Sequence, residues 1–216
     1  MKTRFINIIF VVCCILLAVV ITGCSKNTQE RYTIVLLGPE PYVVPLSEYL
    51  SEDIADDFKN NYGDMPTGYI PPDIEGQYLI SPKTFCYSNF INLSDDQDMH
   101  LRVTNQHNRI ATVELDDRGI VKTDTAFIMG NAQYFTMYFV ETREMDFYSN
   151  VSQVERCVIV SGEKTDLGIK DLKFGTIILK TSQGSNPYIG NFNVGSYFIY
   201  KDGNNLAENC DWFDNN

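Results

Sequence analysis

Few residues of this sequence are arranged for catalysis. The two histidines are His100, expected to point outward from a strand, and His107, in a predicted turn. Neither belongs to a His-Glu-x-x-His motif, which would hold a metal. The sequence also lacks Gly-x-Ser-x-Gly, which would present a serine nucleophile, and Cys-x-x-Cys. We therefore expect a protein that is not an enzyme and needs no cofactor.

An acidic run at residues 95–98, Asp-Asp-Gln-Asp, offers oxygen ligands of the kind that Ca²⁺ prefers. It lacks the glycine and the terminal glutamate of an EF-hand loop. The sequence therefore predicts a plain solvated loop and no metal site.

Aromatic residues are the feature best suited to binding, because ligand pockets are mostly apolar and aromatic with a few polar groups. They are dense at residues 130–140 and 185–200. The alternative is that they form an ordinary β core. The predicted ligand-binding residues are Tyr134, Tyr138, Tyr188, Phe192 and Tyr197.

The N-terminus has the form of a targeting segment. Lys2 and Arg4 precede an apolar run at residues 5–21. The last two residues of this run begin the sequence VITGC at residues 20–24. That ending resembles the lipobox of bacterial lipoproteins. The resemblance implies cleavage before Cys24, which would carry the lipid, and two or three acyl chains anchor a protein firmly. An uncleaved transmembrane anchor is the alternative, but the run is short for one.

The charge of the chain limits its partners. Residues 1–23 contain two basic residues and no acid, so their removal takes the formal net charge from −11 to −13. Such a chain repels phosphate backbones, which argues against nucleic acid as a partner. The polar tether after Cys24 carries one acid, Glu30. Ser25 stands where enteric lipoproteins that stay at the inner membrane carry an aspartate, so the resemblance implies an outer-membrane location. The sequence is similar to lipoproteins of Bacteroides-like bacteria, whose surface-exported members carry an acidic run after the cysteine. The single acid of this tether therefore favours the periplasmic face.

Three cysteines remain in the mature chain: Cys86, Cys157 and Cys210. An oxidising compartment would permit one disulfide, with three pairings open. Free thiols acting as small hydrophobic residues are the alternative.

The sequence divides into a signal peptide at residues 1–23, a lipidated tether and extension at 24–73, and a β domain at 74–216. Within the extension, apolar residues recur every four positions from Leu46 to Phe58, which predicts a helix over 46–60. Ser47 could cap its start, and Gly63 could end it. Prolines and glycines at residues 66–72 mark the boundary with the β domain.

From Ile74 the hydrophobic pattern changes to period two, and about eight short strands follow with turn residues between them. This predicts a mainly β, antiparallel meander closed into a barrel, or a two-sheet sandwich as the alternative. Strand 133–141 is apolar on both faces, so we expect it to be covered on both sides.

The Gly76-Gln77-Tyr78 sequence at the first strand of this meander resembles the Gly-x-Trp of lipocalin-like lipoproteins, with Tyr78 in the tryptophan position. In that family a basic residue packs over the ring, and Lys201 is the nearest candidate here. The resemblance implies an eight-stranded barrel that binds a small apolar or amphipathic ligand. The alternative is a structural or interaction protein of the envelope that binds a glycan or a protein through aromatic loops.

Overall fold

A computed structural model describes residues 32–35, 42–45, 50–90, 97–117, 119–147, 150–181 and 193–213. The predicted signal peptide, Cys24, Tyr188 and Phe192 lie outside these residues. Within them, no helix has the length and apolar character needed to cross a bilayer.

The described chain contains thirteen strands and one helix. The helix, α1, is Glu52–Tyr62. The strands are β1 Tyr32–Val35, β2 Tyr42–Pro45, β3 Tyr69–Ile70, β4 Gly76–Ile80, β5 Lys83–Ser88, β6 Met99–His107, β7 Ile110–Asp117, β8 Ile120–Asn131, β9 Tyr134–Phe147, β10 Asn150–Thr165, β11 Gly168–Thr181, β12 Tyr197–Asp202 and β13 Leu206–Asn209.

Eight antiparallel strands form a closed ring in the order β4-β6-β7-β8-β9-β10-β11-β13, which we call the barrel. The predicted mainly β, antiparallel fold is confirmed. The ring is not a simple meander, because β5 and β12 leave it and pair with each other beside β11. Strands β1 and β2 form a separate hairpin whose β1 strand contacts β9.

The barrel interior is built by the period-two pattern, which places alternate side chains on one face. On β6, Met99, Leu101 and Val103 point inward and are at most 1% exposed, as the alternation predicted. The interior side chains of the other strands pack against them in one apolar cluster.

Helix α1 covers the outer face of the barrel. Ala55, Phe58 and Tyr62 are buried against outward-facing residues of β8 to β12, among them Tyr138 on β9. Residues 135–141 of β9 are thus covered on both faces, because the alternate side chains of this segment belong to the interior.

The helix begins at Glu52 rather than at residue 46, and it ends at Tyr62 rather than at residue 60. Ser51, not Ser47, is the N-cap residue, and the carboxylates of Glu52 and Asp53 follow it in the first turn, where the helix dipole favours them. Leu50 keeps its place in the apolar periodicity but is buried outside the helix. Gly63 ends the helix as predicted, with a φ of 84°.

Tyr78 fills one end of the barrel and is fully buried. Its hydroxyl donates to the backbone oxygens of Ile74, at 2.9 Å, and Glu75, at 3.2 Å. The cation over its ring is Lys164, with Nζ 5.3 Å from the ring centroid, and the prediction of Lys201 is wrong. Lys164 reaches the ring because it ends β10 beside this end of the barrel, whereas Lys201 lies on β12 outside the ring.

Candidate functional site

The described part of the barrel interior is closely packed. Leu101, Val113, Ile128, Met137 and Val158 are all 0% exposed, so no space that admits a water molecule adjoins them. These five side chains fill the interior of the barrel at their positions.

Two of the predicted ligand residues, Tyr138 and Tyr197, lie under helix α1 and are at most 7% exposed. The Tyr197 hydroxyl donates to Asp57 Oδ2 at 2.6 Å, and burial together with this acceptor raises its pKa. Both rings hold the helix against the sheet. Tyr134 differs, because this residue is 46% exposed.

Tyr134 forms one wall of an open groove of about 520 Å³ on the outer surface of the barrel. The other walls come from the chain that follows helix α1 and from strands β8, β10 and β11. The lining residues are Asp64, Pro66, Thr67, Asn131, Tyr134, Ser161, Gly162, Glu163, Asp171 and Lys173.

A β-bulge shapes the floor of this groove. Ser161 pairs with Lys173, but Glu163 pairs with Lys170, so β11 carries one extra residue against β10. Asp171 lies in the bulge with a φ of 53°. Gly162 opposes the bulge, and a Cβ there would lie 2.5 Å from Ile169 Cγ2. A glycine at this position therefore permits the close approach of the two strands.

The groove is acidic, with three carboxylates and one ammonium group. Lys173 Nζ donates to the backbone oxygen of Tyr62 at 2.9 Å, so it also caps the end of helix α1. Glu163 accepts from Gln133 at 2.9 Å and from Lys170 at 3.1 Å. Asp64 accepts no hydrogen bond from the residues that the structure describes, so its carboxylate is available to a bound molecule.

Two large apolar side chains project beside the groove. Tyr69 is 83% exposed and Ile70 is 78% exposed, and β3, which carries them, pairs in parallel with the end of β8. The Arg109 guanidinium lies 5.0 Å from the Tyr69 ring centroid. Exposed apolar side chains next to a polar groove are typical of an interaction surface.

The other residues considered for chemistry lie away from the groove. His100 Nδ1 is 3.4 Å from Asp116 Oδ2, and its ring stacks on Trp212 with the centroids 4.3 Å apart. The cysteines at 86, 157 and 210 are free thiols, exposed at Cys86, half-buried at Cys210 and fully buried at Cys157, where burial raises the thiol pKa to about 12. In the described ranges, no three His, Cys, Asp or Glu side chains are placed to hold a metal ion.

Most groove residues were not predicted, because they come from separate segments that only the folded barrel brings together. The run at 66–72 was interpreted as a boundary, although Pro66 and Thr67 line the groove. A bulge of this type leaves only a weak signal in the sequence. Here that signal is a glycine, Gly162, on the strand opposite the bulge that contains Asp171.

The fold and groove thus define an antiparallel β-barrel protein with an external helix and a polar surface groove. No family model, no curated protein and no solved structure matches this chain.

Proposed function

We propose that this protein is a lipid-anchored envelope protein that binds a glycan in the groove beside Tyr134. The lipid would be carried by Cys24, which places the barrel at the outer membrane on its periplasmic face. The role is one of binding rather than catalysis.

The observation that carries this proposal is the exposed Tyr134 ring beside available carboxylate, amide and hydroxyl groups. Sugars present C–H faces that pack on aromatic rings, and their hydroxyl groups donate to carboxylates and accept from amides. Asp64, Asp171, Asn131 and Thr67 supply these polar groups around the ring. The negative charge of the groove favours neutral or amine-bearing sugars over acidic ones.

The close packing of the barrel interior supports this class of partner over a small apolar ligand held along the barrel axis. A protein partner on the same surface is the alternative, and the exposed Tyr69 and Ile70 favour it.

Calorimetric titration of neutral glucose- and N-acetylglucosamine-based oligosaccharides tests the proposal. Tyr134→Ala should weaken binding by about tenfold or more, since truncating an aromatic residue that dominates a binding site costs on the order of 2 kcal/mol or more. Tyr87→Ala is the matched control, because Tyr87 is a 37% exposed tyrosine on β5, away from the groove. Equal affinities for the wild type and Tyr134→Ala would contradict the proposal.

A further inference from the structure

Arg109 is unlike the other arginines that the structure describes. Arg102, Arg143 and Arg156 each contact a glutamate carboxylate. The side chain of Arg109 forms no hydrogen bond or ion pair with any residue in the described ranges, and its buried Nε has no partner there. A buried N–H group without an acceptor is costly. This arginine therefore lacks the carboxylate that the others have.

Two aromatic rings hold the guanidinium group of Arg109 in place. Its central carbon lies 4.2 Å from the ring centroid of Phe127 and 5.0 Å from that of Tyr69. Ring faces attract the positive charge, but they do not replace a carboxylate, which accepts two parallel N–H groups of an arginine. The residue is half-buried, so part of it is open to solvent. Arg109 is thus positioned for an anion that comes from outside the described chain.

The exposed ring beside Arg109 belongs to a segment, residues 66–72, that is fastened near both ends. Thr136 Oγ1 donates to the backbone oxygen of Pro66 at 2.8 Å, and Gln106 Nε2 donates to that of Pro72 at 2.8 Å. Strand β3 lies between these two hydrogen bonds and pairs with the end of β8. Its two exposed apolar side chains are therefore presented to solvent on a fixed backbone.

Strand β3 also connects Arg109 with the groove. Asn131, a groove residue, pairs with Tyr134 on one side and with Ile70 on the other. Adjacent strands lie about 4.8 Å apart, so the backbone of Ile70 is about 10 Å from that of Tyr134. Tyr69 precedes Ile70 and contacts Arg109. A glycan of several sugar units that lies in the groove can therefore continue over β3 to the arginine.

We propose that the glycan bound in the groove carries a carboxylate at one end and that this carboxylate binds to Arg109 beside the Tyr69 ring. This inference rests on the proposed function, because the neutral part of the same glycan occupies the groove. The three carboxylates of the groove repel an acidic sugar, so the acid must lie beyond them. The ligand class is thus a neutral oligosaccharide that ends in an acidic sugar.

Two derivatives of the N-acetylglucosamine tetrasaccharide test this inference in calorimetric titrations of the purified full chain. One is oxidised at its reducing end to a carboxylate, and the other is reduced there to an alcohol, so the two differ only in this group. The wild type should bind the oxidised form about tenfold more tightly, because a charge-assisted hydrogen bond to Arg109 is gained. Arg109→Gln should bind both forms with the affinity that the wild type has for the reduced form.

Lys122→Gln is the matched control for the loss of a positive charge. Lys122 is exposed on β8, nine residues from Asn131, which corresponds to about 30 Å along the strand. This variant should keep the full preference for the oxidised form. Tyr134→Ala should weaken the binding of both forms, because both place neutral sugars in the groove.

Equal wild-type affinities for the two forms overturn the inference, and the proposed function stands in that case if Tyr134→Ala weakens both. Absence of binding by either form overturns the proposed function together with the inference. A preference for the oxidised form that persists in Arg109→Gln also overturns the inference, because the carboxylate then binds elsewhere. The wild-type comparison keeps the test decisive even where Arg109→Gln fails to fold.

Discussion

A single methyl group at Gly175 should push helix α1 away from the barrel. A Cβ built there lies 2.8 Å from Phe58 Cζ and 2.9 Å from Tyr62 Cδ2 and Cε2. Carbon atoms prefer separations of about 3.5–4.0 Å. Both rings are fully buried and stack on each other with their centroids 5.2 Å apart, so neither can move without disturbing the other.

The expected cost follows from two opposing effects. Overpacking a core typically costs about 1–3 kcal/mol. Replacing glycine with alanine recovers about 0.4–1 kcal/mol through the unfolded chain. We therefore expect Gly175→Ala to lower the free energy of unfolding by about 1–2 kcal/mol in urea denaturation, and to weaken the exchange protection of the helix amides.

Gly203→Ala is the control for this experiment. Its Cβ would lie 2.6 Å from Thr84 Oγ1, so it is also expected to destabilise the protein, but it does not touch the helix. Helix exchange should change in Gly175→Ala and stay unchanged in Gly203→Ala. If Gly175→Ala alters neither stability nor helix exchange, the packing of α1 on β11 described above is refuted.

Two further predictions concern the anchor and the effect of pH on stability. Cys24→Ala should abolish labelled palmitate incorporation and release the protein from the membrane fraction, and a variant that stays labelled would rule out Cys24 as the lipid carrier. The raised pKa of Asp124 means that the folded chain holds this proton more tightly than the unfolded chain does. The contribution of protonated Asp124 to the free energy of unfolding is therefore present at low pH and is lost as pH rises from about 4 to about 6. Asp124→Asn should gain stability over the wild type across that window, as followed by urea midpoints; a difference that does not depend on pH would contradict this.

The sequence predicted more of the fold than of the candidate site. Period-two alternation is a local property, so it correctly indicated the antiparallel strands and the inward face of β6. The apolar character of both faces of β9 correctly indicated that residues 135–141 are covered on both sides. Strands β5 and β12 lie outside the ring because other strands close it. No local sequence pattern specifies which strands close the ring. The helix start was wrong because Ser47 and Ser51 both precede acidic residues, and sequence alone did not choose between them.

The candidate site was less predictable because it is assembled from distant segments. Tyr134 was identified from aromatic composition, whereas Asp64 and Asp171 reach the groove only through the end of α1 and the β10–β11 bulge.

Amide chemical-shift mapping during titration with neutral oligosaccharides tests the proposed glycan site most directly. The account predicts shifts clustered at residues 64–67, 131–134, 161–163 and 171–173, which disappear in Tyr134→Ala. Shifts clustered in the barrel interior instead, or no saturable shifts with any oligosaccharide, would contradict the assignment of the groove as a glycan-binding site.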